Sequence, residues 1–429
     1  MTLSLKHTFN SAKTDGADAT LIQPSAWNSE HTITLDATTI VGNISGSTAA
    51  AAALTPAQGR YVLNAASSEA ASYLGFVVNP FMEISQENGQ TSVSCSNVTV
   101  YAADQTFSYL NTASAGTAVV QNVANPFSGT ASYRRFRTAI KQTIGTVQAS
   151  LAAGEFNIVA MQRIEGLFWK GLGWSTLDAA SVDVVVVCQS SVTGTYSLAL
   201  RPGTQDRSYV TSFSLTANTP TTVFVTIPGD TSGTWATDNT TAAVLTICAG
   251  VGTNNSTATN NSWQSGGYVG IVGGGTNLAA TAAATFTVAY FNAFPTGVLP
   301  YTSAAQVDLA HLANMRRPYD DELRRCQRYW RLWGRAALGI WPAINSPSCR
   351  LTGPLGTEMR TFPTIALTTT APIVERWNVS AYTGSGSTIT TSSTYPRSVD
   401  VTINGFTTTT NYSDAAYMIA DYFTLNARM

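Results

Sequence analysis

Short runs in which apolar and polar residues alternate recur along the middle of this chain, and they constrain its fold more than any other feature. The runs are Val98–Ala102, Val182–Cys188, Tyr196–Leu200, Thr222–Ile227, Ala243–Cys248 and Thr285–Phe291. Successive side chains of an extended chain point to opposite faces, so this alternation is typical of a strand with one buried face. The runs therefore predict β-strands.

Turn-forming residues separate these predicted strands, and no long helical pattern lies between them. The turn signals are Glu87–Gln90, Pro202–Gly203, Pro228–Asp230 and Gly252–Asn261. Glycine, proline and asparagine supply the backbone conformations that tight turns require. Many strands joined by loops predict a sandwich or jelly roll, so residues 79–330 are interpreted as a central jelly-roll-like β-sandwich.

Between Asp308 and Arg335 the spacing of apolar residues changes from that of a strand to that of a helix. Pro318 suits a first helical turn, and the acidic residues after it suit the positive end of the helix dipole. The apolar residues that follow at helical spacing are Leu323, Cys326, Tyr329 and Trp330. The stretch predicts one short helix near the boundary between two domains.

Threonine-rich alternating stretches return after the predicted helix. They are Ile365–Thr370, Ile373–Val379, Ser398–Ile403 and Tyr417–Leu425. They predict a second, smaller C-terminal β-sandwich domain over residues 331–429, so the chain as a whole is expected to be mostly β.

Residues 1–78 differ from the rest because they hold few periodic apolar positions. Thr32–Leu35 alternates like one short strand, but the segment has little else from which to build a core of its own. We therefore expect an extended N-terminal region that needs the surface of other subunits, or of a particle, against which to order.

Charge is scarce in this chain and nearly balanced. Charged residues make up 11% of the sequence and the net charge is −1, whereas about 25% charged residues is usual. Such a chain has no general attraction for nucleic acid, and its longest apolar run, Val182–Cys188, is too short to cross a bilayer. We expect no nucleic-acid partner and no membrane insertion. Met1–Asn10 has no apolar run, so synthesis in a cytoplasm without a signal peptide is expected.

The five cysteines are scattered singly, without a CxxC pair, and the chain has three histidines. Zinc sites of usual spacing need clusters of these residues, so we expect no metal and no cofactor. The odd number and irregular spacing indicate reduced core cysteines, with a Cys188–Cys248 contact between neighbouring strands left open.

Three groups of motifs resemble phage tail proteins. An N-terminal group resembles the start of tail fibres: Phe9, Asp15–Thr20, Pro24-Ser25, Trp27-Asn28 and His31–Ile33. A middle group resembles the jelly-roll modules of phage tail proteins: Asn79–Gly89, Gln162–Leu167, Ile227–Thr231, Gly233–Trp235 and Arg317–Tyr319. A last group resembles the C-terminal part of many fibre proteins: Glu322-Leu323, Cys326–Tyr329 and Met359–Thr364.

The order of these motifs matches that of bacteriophage tail-fibre and receptor-binding proteins, and the resemblance covers most of the chain. It implies a homotrimer in the virion, made in the host cytoplasm, with a lectin-like sandwich and a distal β domain. It also implies that residues 1–78 attach to other phage tail or virion proteins, and that the ligand is a host surface polysaccharide or lipopolysaccharide. The family provides no catalytic residues to carry over.

Aromatic residues beside polar loops are the candidate glycan-binding residues, because apolar sugar faces stack on such rings. Trp263 and Tyr268 flank a glycine-rich loop of the middle domain. Trp377, Tyr382 and Tyr395 surround a Thr/Ser/Gly stretch of the last domain. The alternative for each ring is half-buried packing.

Two N-terminal residues, Trp27 and His31, are candidates for virion attachment. The alternative is that Trp27 packs the extended chain onto its neighbour and that His31 is a satisfied polar partner of that packing.

Seven arginines fall between residues 316 and 335, interleaved with three acidic residues. We interpret Arg317, Asp321, Arg324 and Arg328 as members of an ion-pair network between domains or between subunits, because the planar guanidinium fork suits such contacts. An acidic glycan or phosphate ligand is an alternative, and nucleic acid a weaker one given the adjacent carboxylates.

Catalytic patterns are absent from the sequence, so we expect a protein that is not an enzyme. Glycoside hydrolysis needs two carboxylates in one cleft, and Glu155 and Glu165 lie ten residues apart without a spacing that pairs them. No nucleophile elbow or phosphate-binding loop occurs. Receptor binding is the predicted function. A purely structural head or tail fibre and a polysaccharide depolymerase are the alternatives.

Overall fold

The computed structural model describes residues 2–5, 17, 31–34, 40–42, 52–54, 72–113, 115–272, 275–333, 338–340, 349–370, 373–376, 381–383, 385–406, 415–418 and 423–429. The chain divides into two compact units, one of residues 1–66 with 299–301 and one of residues 67–298 with 302–429.

The first unit contains two antiparallel strand pairs, β1–β2 and β3–β4. Their strands are β1 Thr2–Leu5, β2 His31–Thr34, β3 Ile40–Gly42 and β4 Ala52–Leu54. The alternation at Thr32–Leu35 thus corresponds to β2.

The second unit begins with a β-sandwich of two antiparallel sheets. Its strands are β5 Val93–Ser94, β6 Val100–Ala103, β7 Thr106–Asn111, β8 Ala118–Ala124, β9 Thr138–Ile144, β10 Phe156–Glu165, β11 Val182–Ser190, β12 Gly194–Pro202, β13 Arg207–Leu215, β14 Thr221–Ile227, β15 Thr241–Val251, β16 Ser256–Thr257, β17 Ser262–Ser265, β18 Gly270–Ile271 and β19 Thr285–Pro295. One sheet has the order β17-β13-β12-β15-β10-β7-β6, and the other β14-β11-β19-β9-β8-β5. The short strands β16 and β18 form a parallel pair.

The main core lies between these two sheets. Alternate residues of β15, including Leu245 and Ile247, pack against residues of the facing sheet such as Val184 and Phe286, and all four are essentially fully buried. The prediction of a central β-sandwich is confirmed. The four cysteines whose side chains are described, Cys95, Cys188, Cys248 and Cys326, are free and buried.

In the described part of the chain, short helices accompany the sheets, among them α1 Gly166–Trp169, α2 Leu309–Asn314 and α3 Tyr319–Gln327. Short 3-10 turns lie at Ala131–Arg135, Lys170–Leu172, Thr253–Asn255, Leu278–Ala280 and Ala304–Gln306. None of the helices among the described residues is long and apolar enough to cross a membrane.

The C-terminal region forms a second, smaller β-structure, as predicted. Its strands are β20 Trp330–Trp333, β21 Leu338–Ile340, β22 Cys349–Pro354, β23 Thr364–Leu367, β24 Ile373–Arg376, β25 Ala381–Thr383, β26 Ile389–Tyr395, β27 Ser398–Ile403, β28 Ala415–Met418 and β29 Phe423–Asn426. A three-stranded sheet has the order β20-β29-β23, and a seven-stranded sheet β25-β24-β28-β21-β22-β27-β26. Leu351, Val401 and Phe423 belong to its core.

The helical stretch predicted between Asp308 and Arg335 differs in detail from the structure. Pro318 has an extended backbone (ψ 140°) and lies just before α3, so it separates α2 from α3. Trp330, expected on the helix, begins β20, where pairing with β29 supplies the backbone hydrogen bonds. Likewise the stretch Tyr417–Leu425 holds parts of two strands that belong to different sheets.

Arginines connect the last domain to the sandwich within one chain. The Arg328 guanidinium forms a two-pronged contact with Glu165 on β10, with Nε–Oε1 at 2.8 Å and Nη2–Oε2 at 2.9 Å. Arg360 donates to the carbonyl oxygen of Asn239 at 2.9 Å, and the Asn239 amide donates back to that of Arg360 at 2.7 Å. The predicted network member Arg328 therefore joins β10 to the end of α3, and both belong to the same compact unit.

The other predicted members of the network lie around α3. Arg317 is buried and pairs with Glu322 at 2.7 Å, while its Nη2 donates to the Gly75 carbonyl at 2.9 Å. Asp321 accepts a hydrogen bond from the Tyr73 hydroxyl at 2.6 Å. Arg324 is an exposed neighbour of Asp321 at 3.8 Å, a distance and exposure at which ion pairs contribute little.

Replacement of Arg328 by Met is expected to lower the free energy of unfolding by about 3–5 kcal/mol, because it leaves a buried carboxylate without its counter-ion. The Glu165 side chain has 0% exposure, whereas Arg397, which pairs with Glu358, is 80% exposed. Arg397→Met is therefore a matched control that should cost about 1 kcal/mol or less. Urea denaturation followed by tryptophan fluorescence measures the free energy of unfolding of both variants. Equal losses of stability in the two variants would contradict a stabilising role for the Arg328–Glu165 pair.

A buried carboxylate lies near the same domain junction. Asp104 is 1% exposed and accepts hydrogen bonds from the main-chain N–H of Gln86, at 3.0 Å, and from its side-chain amide. That amide also donates to the carbonyl of Trp330 in β20 at 3.2 Å. Burial raises the pKa of Asp104 from 3.8 to about 6.

This raised pKa predicts a pH dependence of stability. At pH values between the two pKa values of Asp104, the folded state binds more protons than the unfolded state. The stabilisation of the folded state by protonated Asp104 is therefore full below about pH 4 and is lost as the pH rises through about 6. Its size is at most about 3 kcal/mol. The stability difference between the wild type and Asp104→Asn should therefore change across this window in urea denaturation. The exposed Asp206→Asn is the control, and a pH-independent difference for Asp104→Asn would refute the assignment.

Candidate functional site

Trp263, a candidate sugar platform, lies on β17 within a cluster of tryptophans. Its ring packs edge-on against Trp174 and Trp235, with centroids 5.5 and 5.6 Å apart, and its Nε1 donates to the Pro228 carbonyl at 2.8 Å. Tyr268 is half-buried, and its ring lies over Gly266, where a Cβ would come within 2.5 Å of it. Both rings thus have a packing role.

Two candidate aromatics of the last domain lie on different strands. Tyr382 lies in β25 and Tyr395 in β26, and these strands are the two opposite edges of the seven-stranded sheet. Tyr395 is 54% exposed, with its ring 6.2 Å from that of the exposed Phe362. Trp377 lies outside the described residues. The same holds for the attachment candidate Trp27, whereas His31 begins β2.

These placements predict different consequences of removing two of the rings. Trp263→Ala should destabilise the sandwich by about 2 kcal/mol or more, because it opens a space beside the tryptophan cluster. Tyr395→Ala should change stability by about 0.5 kcal/mol or less, as is usual for exposed positions. Thermal unfolding of the two variants makes the comparison. If Trp263→Ala is as stable as the wild type, the Trp263 ring does not stabilise the sandwich and is again a candidate for sugar binding.

A concave site that combines aromatic and polar side chains lies elsewhere, on the outer face of the sandwich's seven-stranded sheet. It is a cavity of about 270 Å³, and eleven described residues line it: Thr99, Phe107, Tyr109, Phe156, Ile158, Met161, Arg163, Arg201, Gln205, Asn255 and Val269. They come from β7, β10 and β12 and from the loops beside them. We call this space the sheet cavity.

Strand register explains which side chains form the floor of the sheet cavity. Leu245 faces the inter-sheet core, so its neighbour Val244 on β15 faces outward. Val244 is paired with Arg201 on β12 and with Arg163 on β10. One row across the sheet thus carries two arginines on the same face, on either side of a valine.

Aromatic rings occupy the side of the sheet cavity formed by β7 and β10. Tyr109 and Phe156 meet edge to face with centroids 5.6 Å apart, and both are half-buried, so they keep exposed ring surface. Phe107 is buried beneath Arg163, whose guanidinium carbon lies 5.3 Å from the ring centroid. Flat rings beside hydrogen-bonding side chains are the combination that sugar binding requires.

Polar groups complete the rim of the sheet cavity. Asn255 is fixed by a hydrogen bond from its side-chain amide to the Gly154 carbonyl at 3.1 Å and by one from the Val269 N–H to its own carbonyl at 2.9 Å. Gln205 is exposed in the β12–β13 turn. These side chains have amide groups suited to hydroxyl ligands.

Arg201 is the most unusual residue of the sheet cavity, because it is only 5% exposed. Burial lowers the pKa of its guanidinium to about 10. Nη1 donates to the Gly267 carbonyl at 3.3 Å, and Nε is buried without a hydrogen-bond partner. None of the eleven described lining residues is acidic.

The two carboxylates considered for hydrolysis have structural contacts instead. Glu155 accepts hydrogen bonds from the N–H groups of Ala113 at 2.5 Å and Ala152 at 2.7 Å, and these contacts lower its pKa. Glu165 holds Arg328. Within the described part of the chain, no group of three or more His, Cys, Asp and Glu side chains could hold a metal ion.

Neither a family model nor a curated protein matches this chain. Among solved structures, the family 11 carbohydrate-binding module of Clostridium thermocellum in complex with a β-1,3-1,4-mixed-linked tetrasaccharide matches at 8% identity and a TM-score of 0.23, covering 44% of this chain and 89% of that one. The tandem family 22 modules of Paenibacillus barcinonensis Xyn10C match at 8% identity and a TM-score of 0.23, covering 82% of this chain and 96% of theirs. Likeness of this size indicates neither a shared fold nor a shared ligand.

Proposed function

We propose that this protein is a non-enzymatic adhesin that binds a bacterial surface glycan in the sheet cavity. The observation that carries the proposal is the pairing of exposed ring surface, from Tyr109 and Phe156, with hydrogen-bonding side chains on a rigid sheet. The volume of about 270 Å³ is near the lower end of the range for small-molecule pockets, roughly 300–1,000 Å³, and suits a short stretch of a sugar chain.

The biological setting in the proposal is the bacteriophage tail fibre. It is supported by the sequence resemblance and by a β-rich architecture with a separate N-terminal unit. In this proposal residues 1–78 attach to the virion and three copies assemble. Weak sites held at fixed spacing then act together, and avidity exceeds the affinity of one site by roughly 10²–10⁴-fold.

The test is binding of the purified full chain to a panel of bacterial capsular polysaccharides and lipopolysaccharides, with its oligomeric mass measured by light scattering. The Tyr109→Ala and Phe156→Ala variants should lower affinity about tenfold or more, because they remove the stacking surface. Tyr319→Ala, which removes a 61% exposed ring on α3 outside the sheet cavity, is the matched control and should bind like the wild type.

Two outcomes would replace this proposal. A folded trimer that binds no polysaccharide and no bacterial cell would favour a purely structural fibre component. New reducing ends after incubation with a bound polysaccharide would establish a depolymerase.

A further inference from the structure

We infer that the sheet cavity recognises an acidic sugar, and that Arg201 is the residue that binds its carboxylate. This inference rests on the proposed glycan-binding function and names the class of glycan. It follows from the charge inside the cavity, which is positive and has no balancing carboxylate among the described lining residues.

A buried charge without a counter-ion destabilises a protein, so buried arginines are normally paired. Two other arginines follow this rule: buried Arg317 pairs with Glu322 at 2.7 Å, and Arg328 pairs with Glu165 at 2.8 Å. Arg201 departs from it, with one hydrogen bond to the Gly267 carbonyl and a buried Nε that has no partner.

The nearest ionisable group does not neutralise Arg201. Cys248 lies on the same face of β15, and burial raises the pKa of its thiol to about 11, so it is uncharged at neutral pH. The second arginine, Arg163, adds positive charge in the same cross-strand row. Its Nη1 donates to the main-chain oxygen of Met429, and its guanidinium lies over Phe107.

The arrangement suits a carboxylate that is carried on a sugar ring. A guanidinium presents parallel N–H groups in a planar fork that matches the two oxygens of a carboxylate. A carboxylate carried on a sugar ring would place the ring between Arg201 and the aromatic side of the cavity, where Tyr109 and Phe156 offer their faces. A uronic acid residue has both features, so it is the class of ligand that the cavity fits.

The experiment compares two forms of the same sugar chain by calorimetry. The probes are oligogalacturonates and hyaluronan oligosaccharides, each beside its carboxyl-reduced, neutral form, and a phosphate-bearing teichoic acid. We expect the full-length wild type to bind a carboxylated form about tenfold or more tightly than its neutral form, the scale of one charge-assisted contact. Preference for the teichoic acid, or equal binding of the charged and neutral forms, would overturn the inference.

Single-residue variants distinguish a role of Arg201 in binding the carboxylate from a role in stabilising the protein. Arg201→Met should abolish the preference for the carboxylated form and leave the ligand-free protein as stable as the wild type or more so, because it removes an unpaired buried charge. Tyr109→Ala should weaken both forms, and the exposed Arg324→Met is the control for loss of one positive charge. A preference that survives in Arg201→Met contradicts the inference.

The failure of this inference is distinguishable from failure of the proposed function. Binding of neutral polymers that Tyr109→Ala weakens and Arg201→Met does not would keep the glycan-binding function and reject the acidic ligand. Absence of binding to every polymer in the panel and to bacterial cells would reject both.

Discussion

The alternation of side chains along β15 is the constraint on which the rest of the sandwich depends. Leu245 and Ile247 join the core between the sheets, and Val244 packs with Phe107 and Met161 on the opposite face. Because a strand has a period of two residues, a shift of one residue would exchange the two faces. The same shift in β12, which pairs with β15, would bring Arg201 into an apolar core that could not solvate it. The core and the cavity are therefore determined together.

The position of the C-terminal domain depends on a different kind of contact. The hydrophobic core between the two sheets and the core of the last domain form separate clusters. A third apolar cluster, which includes Val78, Tyr329 and Met429, connects the two regions together with arginine hydrogen bonds. Arg328 and Arg360 reach the sandwich through directional hydrogen bonds. Such contacts require defined geometry, so they fix the relative orientation of the two domains more strictly than apolar packing alone would.

Much of the fold could be predicted from the sequence because one-sided burial leaves a periodic pattern. The strand at Ser398–Ile403 was predictable in this way, and its alternate residues are buried in the structure. The sheet cavity could not be predicted, because its residues come from distant strands, and β10 has register irregularities between Phe156 and Ala160 that obscure its alternation. An arginine within the apolar pattern of β12 was the one available signal. The helix prediction failed at Trp330 because pairing with β29, a long-range contact, overrode local spacing.

Arg163 belongs to two environments at once, since it lines the sheet cavity and donates to the main-chain oxygen of Met429, just beyond β29. A ligand that engages this guanidinium must therefore share it with the last domain or displace that domain's contact. Binding and domain docking are then thermodynamically linked, and each alters the equilibrium constant of the other by the same factor. A force on the last domain would therefore change the affinity for the ligand. The Arg163 side chain would then be a mechanical connection between the last domain and the sandwich.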